Sequence, residues 1–357
     1  MKKVACIVGT RPDFIKIAPL FWYLEKNSLF PMILIHTGQH YEFRMFQIFF
    51  RELKIPVPDY NLQINSPFTK LKTIIQKLET VLVKEKPKII IVVGDVDSAL
   101  VGALVACRLK IPIAHIEAGM RSFDRTMPEE LNRVIIDSLS EILFAPTREA
   151  VENLKKEGIN KGIYYVGDLN HEVLIKALGV INGHSRKILN KFHLKPKEYL
   201  LLTLHRIANI ENPQNLYNIL QALSKSKKKI VFPVHPHTKK QISKFKFKID
   251  FANFLFLPPL SFLEMLVLEK HAFKILTDSG TIQKEAFWLK VPCITLREVT
   301  EWNYTVKEGW NILVGANPSK ILDAISNFNP FSTIRRDPKE VNVASKIIET
   351  LSQYLFS

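Results

Sequence analysis

Two doubly wound, mostly parallel α/β sheets are the fold this chain predicts, on three observations. Short apolar runs alternate with longer amphipathic ones, and this rhythm occurs twice. The apolar runs are continuous rather than alternating, as in strands buried on both faces. The length of 357 residues exceeds the roughly 250–300 residues at which a single core stops growing, so two domains are expected.

In the first half, KKVACIV, FPMILIHT, KIIIVVG and IPIAHI read as strands, separated by helical stretches such as IAPLFWYLEK and SALVGALVACRL. In the second, YLLLTLH, KKIVFPVH, NFLFLP, FKILTD and VPCITL read as strands, with NLYNILQALSK and IQKEAFWLK as helices. Strands separated by helix-length amphipathic segments make βαβ units and a parallel sheet. The boundary is expected near VGDLNHEV, after the strand-like IYYVG. This assigns residues 1–168 to a first domain and 169–343 to a second. Residues 344–357 fall in an amphipathic helix that can cross back onto the first domain.

The net charge of +16 and pI near 9.6 raise the question of nucleic acid. The densest basic runs, KSKKK and KKQISKFKFK, fall where solvated helix faces and connections are expected. No zinc-finger spacing, RNP1-type strand or basic zipper accompanies them, so no nucleic-acid partner is expected. A basic protein also steers a small anion towards a cleft. No apolar run approaches the ~18 residues that span a bilayer, and MKKVACIVGTRP reads as a first strand rather than a leader. Cys6, Cys107 and Cys293 are dispersed and odd in number, which suits a reduced cytoplasm. His235-Pro-His237 has no evident third ligand, so no metal is expected; no cofactor motif is present either.

In open parallel sheets, ligands bind beyond the carboxyl ends of the strands. After VACIV come Gly9, Arg11 and Asp13, then a helix carrying Lys16. After MILIHT come Gln39 and His40; after IIIVV, Gly94, Asp95 and Asp97; after IPIAHI, Glu117. In the second half the strand ends carry His205 and Arg206, His235 and His237, Asp278, Ser279 and Gly280, and Arg297 and Glu298. Two sheets facing across a cleft would bring these groups together. In TDSGTIQKEA a strand feeds directly into a helix start. Glycine there admits a phosphate to the backbone amides, and Glu285 is placed to accept from two ribose hydroxyls. These features point to a nucleoside diphosphate. Asp95 and Glu117 end consecutive strands, so they make either an acid/base pair or a structural pair salt-bridged to Arg121, Arg125 or Arg133. The charged stretch HIEAGMRSFDRTMPEELNR follows a strand, and we expect it to be a fixed wall of a site rather than a solvated loop.

Taken in order, GTRPDFIK, TGQH, VVGDVDSALVGALVA, HIEAGMRSFDR with MPEELNR, TLHR, FPVHP, TDSGTIQKEA and REVTEW resemble the non-hydrolysing UDP-N-acetylglucosamine 2-epimerases. The resemblance runs from about residue 4 to residue 315. It implies two Rossmann-like domains in the GT-B arrangement, commonly as a homodimer. It also implies inversion at C2 of the sugar, through loss of the C2 proton, expulsion of UDP to give 2-acetamidoglucal, and re-addition. By motif, the acid/base carboxylates fall on Asp95, Glu117 and Glu129, and the imidazole near the diphosphate on His205. Substrate contacts fall on Arg11, Lys16, Ser279, Gly280, Thr281, Glu285 and Arg297. A regulatory UDP-sugar site carried by some members falls on Gln39, Glu42, Glu130, Arg206 and His235.

The chain departs from the family pattern in three places. Ala208 stands where HRxEN has Glu, Thr281 where DSGG has its second glycine, and Trp302 where many members have Arg. The Trp form resembles the branch that acts on UDP-2,3-diacetamido-uronate sugars. The competing functions are a GT-B glycosyltransferase, a hydrolysing epimerase and a non-catalytic UDP-sugar-binding regulator.

Overall fold

A computed structural model of the chain describes residues 2–38, 50–63, 70–330 and 342–357. They form two compact units, residues 1–173 with 340–357, and residues 174–339. The division falls inside the helix Leu169–Ile181. The fold class expected from the sequence, two doubly wound parallel α/β sheets, is the one observed.

The first unit holds a seven-stranded sheet built from β1 (Val4–Val8), β2 (Met32–His36), β3 (Tyr60–Asn61), β4 (Ile89–Val93), β5 (Ile113–Ile116), β6 (Ile142–Ala145) and β7 (Ile163–Tyr165). Its order is β3-β2-β1-β4-β5-β6-β7, with every neighbouring pair parallel. Strands β1, β4 and β5 are buried along their whole length, as continuous runs such as IIIVV require. The strand order reverses between β1 and β4. At that switch point the loops leaving neighbouring strands depart to opposite faces and open a crevice. Gly9–Arg11 and Gly94–Asp95 leave the sheet there.

The second unit repeats the plan with six strands: β8 (Tyr199–Thr203), β9 (Lys229–Pro233), β10 (Phe254–Leu257), β11 (Lys274–Thr277), β12 (Cys293–Thr295) and β13 (Asn311–Leu313). The order is β10-β9-β8-β11-β12-β13, again all parallel. Here the switch point lies between β8 and β11. Their last residues, Thr203 and Thr277, are register partners and share a hydroxyl hydrogen bond of 2.6 Å. The chain then leaves as His205-Arg206 on one strand and Asp278-Ser279 on the other.

Three strands escape the sequence reading: β3, β6 and β13. They are two to four residues long, and β3, within PDYNLQ, has no continuous apolar run. The closing helix Val343–Phe356 packs on the helix Arg11–Asn27 of the first unit, where Tyr23 donates to Glu349 at 2.9 Å. Glu172 accepts from the Ala344 amide at 3.0 Å. Among the described residues no helix is long and apolar enough to cross a membrane.

Candidate active site

At the β1 end, Asp13 folds back to accept from the Gly9 and Thr10 amides at 3.0 and 2.9 Å, closing a capping box. This satisfies the orphan donors of a helix start and leaves Lys16 one turn inside. Lys16 is buried, and its ammonium bonds the Glu117 carboxylate. Burial alone would lower its pKa, but the charges of Glu117, Asp13 and Asp95 outweigh it and hold the ammonium above its ordinary range.

Glu117 leaves β5 in the left-handed region, at φ 70°. A non-glycine residue held there is uncommon and concentrates at sites where function requires it. Gly94 beside it has φ 67°, and a Cβ at that position would stand 3.1 Å from the Lys16 ammonium and 3.5 Å from Glu117 Oε2. The left-handed backbone favours the glycine, and a side chain there would press on the Lys16 ammonium. Asp95 follows and pairs with Arg133, while Asn132 donates to the Asp95 carbonyl at 2.8 Å. The structure therefore brings Lys16, Gly94, Asp95 and Glu117 together at the switch point.

The two ends of the stretch 117–133 are built into the fold, whereas Phe123, Arg125, Thr126, Pro128 and Leu131 are exposed. Glu130 is buried, and it accepts from Ser122 N at 2.8 Å, Ser122 Oγ at 2.9 Å, Phe123 N at 3.0 Å and Arg133 at 2.8 Å. The resemblance put Glu130 in a regulatory UDP-sugar site; here both carboxylate oxygens are engaged within its own loop and helix. Glu129 is half-buried in the first turn of the helix Pro128–Leu139. Of the arginines expected to partner the strand-end carboxylates, only Arg133 does so. Arg121 turns inward to Asp137 at 2.7 Å and Glu157 at 2.6 Å, Arg125 is exposed, and Glu117 takes a lysine.

In the second unit, Asp278 is the organiser. It is buried and accepts from the His205 amide at 3.1 Å, the Arg206 amide at 3.0 Å and Asn209 Nδ2 at 3.2 Å. Burial opposes its charge, yet the His205 ring at 3.2 Å and these donors keep its carboxyl below the ordinary 3.8. The His205 side chain is 47% exposed with Nδ1 turned to Asp278, which sets the direction of Nε2. Sequence reasoning placed Asp278 at a strand end without a role. Its signal was the acid directly before Ser279.

Ser279 caps the helix Gly280–Trp288, accepting from Ile282 N at 3.5 Å. The helix start attracts an anion. The glycine at position 280 has a reason other than the expected one. A Cβ there would lie 2.6 Å from Glu301 Oε1 and 2.8 Å from Trp302 Nε1. Close packing of REVTEW on the helix start thus accounts for Gly280, rather than phosphate approach on that side. Thr281 is half-buried and Glu285 buried. Glu301 also pairs with Arg297 at 2.8 Å and Arg206 at 3.8 Å. Arg206, assigned by resemblance to the regulatory region, therefore stands in one cluster with Arg297. Trp302 covers the ammonium of buried Lys284, 3.8 Å from the ring centroid.

Arg11 is half-buried at its helix start. His235 accepts from the His237 amide at 3.2 Å as a helix cap. Ala208 is exposed on the short helix Ile207–Ile210. Gln39 and Glu42 lie outside the described residues. Among the described residues no group of three His, Cys, Asp or Glu side chains is placed to hold a metal.

Two parallel sheets, each with charged groups gathered at its switch point, define a protein of the kind that handles nucleotides or their sugars. The family model for UDP-N-acetylglucosamine 2-epimerase matches residues 23–352, and the chain belongs to that family. A UDP-N-acetylglucosamine 2-epimerase homolog from Methanococcus maripaludis is 50% identical over 98% of this chain and 99% of its own. The UDP-2,3-diacetamido-2,3-dideoxy-D-glucuronate 2-epimerase of Pseudomonas aeruginosa is 38% identical over 90% of this chain and 91% of its own. The crystal structure of Methanocaldococcus jannaschii UDP-GlcNAc 2-epimerase, in complex with UDP-GlcNAc and UDP, is 40% identical. It superposes with a TM-score of 0.89 over 98% of this chain and 99% of that one.

Proposed function

We propose that this chain interconverts UDP-N-acetylglucosamine and its 2-epimer, UDP-N-acetylmannosamine. The carrying observation is the cluster of Glu117, Lys16, Gly94 and Asp95 at the switch point of the first sheet. In one direction a carboxylate takes the C2 proton while the C1–oxygen bond to UDP breaks, leaving 2-acetamidoglucal. UDP then re-adds at C1 as a proton returns to C2 on the opposite face, so no atom is gained or lost. Asp95, Glu117 and Glu129 carry the acid/base work in this reading. His205, oriented by Asp278, serves the departing diphosphate with Arg11 and Lys16. Ser279, Gly280, Thr281, Glu285 and Arg297 hold UDP. Stabilising the leaving diphosphate is where preorganised cations and helix dipoles contribute most.

The same reading makes residues 1–168 the acid/base domain and 169–343 the UDP domain. It places the enzyme in the cytoplasm, where free cysteines persist, as a homodimer feeding cell-surface polysaccharide synthesis. Purified protein given either epimer should reach the same mixture of both. Accumulation of UDP with free sugar would replace this reading by a hydrolysing epimerase, and binding without turnover by a regulator.

A second reading is favoured by Trp302, which is buried against Gly280 and Lys284: the substrate is a UDP-2,3-diacetamido-uronate. Its support is the Trp form of REVTEW. The ratio of kcat/KM for the two UDP-sugars decides between them.

A further inference from the structure

His115 is the penultimate residue of β5 and is fully buried. Its Nδ1 lies 2.6 Å from Asp137 Oδ1, and its Nε2 lies 2.8 Å from the Gly94 carbonyl oxygen. A carbonyl oxygen only accepts. Asp137 accepts as well: the Arg121 guanidinium at 2.7 Å from its second oxygen keeps the carboxyl ionised, and that oxygen also takes the Gly119 amide at 3.1 Å. Two acceptors facing the two ring nitrogens require a hydrogen on each. We propose that His115 is a buried imidazolium that acts as the positioning residue for the two strand-end carboxylates, Asp95 and Glu117.

The geometry shows how it acts on both. The Gly94 carbonyl belongs to the peptide that joins Gly94 to Asp95, so holding that oxygen orients the plane from which Asp95 departs. On the other side Asp137 holds the Gly119 amide, two residues beyond Glu117. Glu117 and Gly119 have φ 70° and 77°, so this turn needs an external tie to keep its shape. One Asp–His pair thus fastens the turn after β4 and the turn after β5. The charges around it balance: His115 and Arg121 face Asp137 and, through Arg121, Glu157. Burial opposes the Asp137 charge, but His115 and Arg121 overcome it and hold that carboxyl below the ordinary 3.8. A neutral imidazole would set a lone pair against either the carbonyl or the carboxylate and release one of the two turns.

The positioning role rests on the proposed reading of Asp95 and Glu117 as acid/base groups; the protonation state does not. Two measurements therefore separate the failures. The first is NMR of ring-labelled His115 in the intact wild-type protein, in which both nitrogens should report as protonated at neutral pH. A ring with one bare nitrogen overturns the proposal whatever the enzyme does. The second is steady-state kinetics of His115→Gln and Asp137→Asn with UDP-GlcNAc. A misplacement of about 1 Å at a reacting group can cost about 10²-fold, so kcat should fall by up to about that factor. KM and UDP affinity should change less than kcat, since most of the residues assigned to hold UDP (Ser279, Gly280, Thr281, Glu285 and Arg297) belong to the other unit. Wild-type kcat in either folded variant overturns the positioning role. Wild-type protein without epimerase activity on any UDP-2-acetamido sugar, but with a doubly protonated ring, overturns the proposed function and leaves the imidazolium standing.

Discussion

Replacing Glu117 by Gln keeps the side-chain shape and removes one partner of a buried ion pair. The Lys16 and Glu117 side chains are only 11% and 10% exposed, so water screens them little. Breaking a buried pair by removing one charge costs about 3–5 kcal/mol. Lys16 keeps the attraction of Asp13 and Asp95, which argues for the lower end, about 3 kcal/mol. For a unit of this size each kcal/mol shifts Tm by about 2–4 °C, so Tm should fall by about 6–12 °C. Removing a general acid or base costs about 10²–10⁴ in rate, and epimerisation should fall by at least that range. The double variant Lys16→Met with Glu117→Gln separates the two effects. It removes both charges and should recover most of the lost stability while remaining inactive. Thermal unfolding and NMR turnover on the wild type and the two variants measure both quantities. A single variant as stable as wild type refutes the energetic argument, and a double variant that regains activity refutes the catalytic one.

Other outcomes follow from the same physics. Asp137 and Asp278 are held below 3.8 in the folded state, so the unfolded chain binds protons first. Their contribution is complete above about pH 4 and should be lost as pH falls through their folded values. Asp13, pushed up by burial, works against that loss. Urea unfolding from pH 7 down to 3 should show a net decline, and a flat profile would contradict it. Cys107 is exposed, Cys6 and Cys293 are buried, and burial pushes the Cys293 thiol up to about 12. The native protein should therefore take one equivalent of iodoacetamide rapidly, and the denatured protein three. Gly119 has φ 77°, and a Cβ would lie 2.3 Å from the Ala150 carbonyl oxygen. Gly119→Ala should cost about 2–5 kcal/mol, from left-handed strain and overlap with rigid backbone; denaturant melts should show it.

Strand identity and strand-end chemistry were legible because a buried parallel strand needs a continuous apolar run and must end in whatever polar residue follows it. IIIVV and YLLLT satisfy that rule plainly; NIL, at β13, is too short to do so. Pairing across the sheet was not legible. Arg121, Arg125 and Arg133 sit close in sequence to Glu117, yet Lys16 pairs with it from 101 residues away. Such a choice depends on strand order, which no local pattern encodes. His115 read simply as part of a strand, because its role depends on Asp137 and Gly94 arriving from two other elements. Gly280 shows the reverse case. The residue was correctly singled out at a helix start, but its neighbours, Glu301 and Trp302, come from a loop that local spacing cannot place.

A proton at C2 gives the most direct test. Purified protein is incubated in D2O with UDP-N-acetylglucosamine and with the diacetamido-uronate sugar, and the H2 resonance is followed by NMR. If the chain is a 2-epimerase, that resonance should disappear with deuterium entering C2 as the 2-epimer appears, at a rate abolished by Glu117→Gln. A C2 proton that survives in every UDP-2-acetamido sugar offered, while UDP still binds, would contradict that reading.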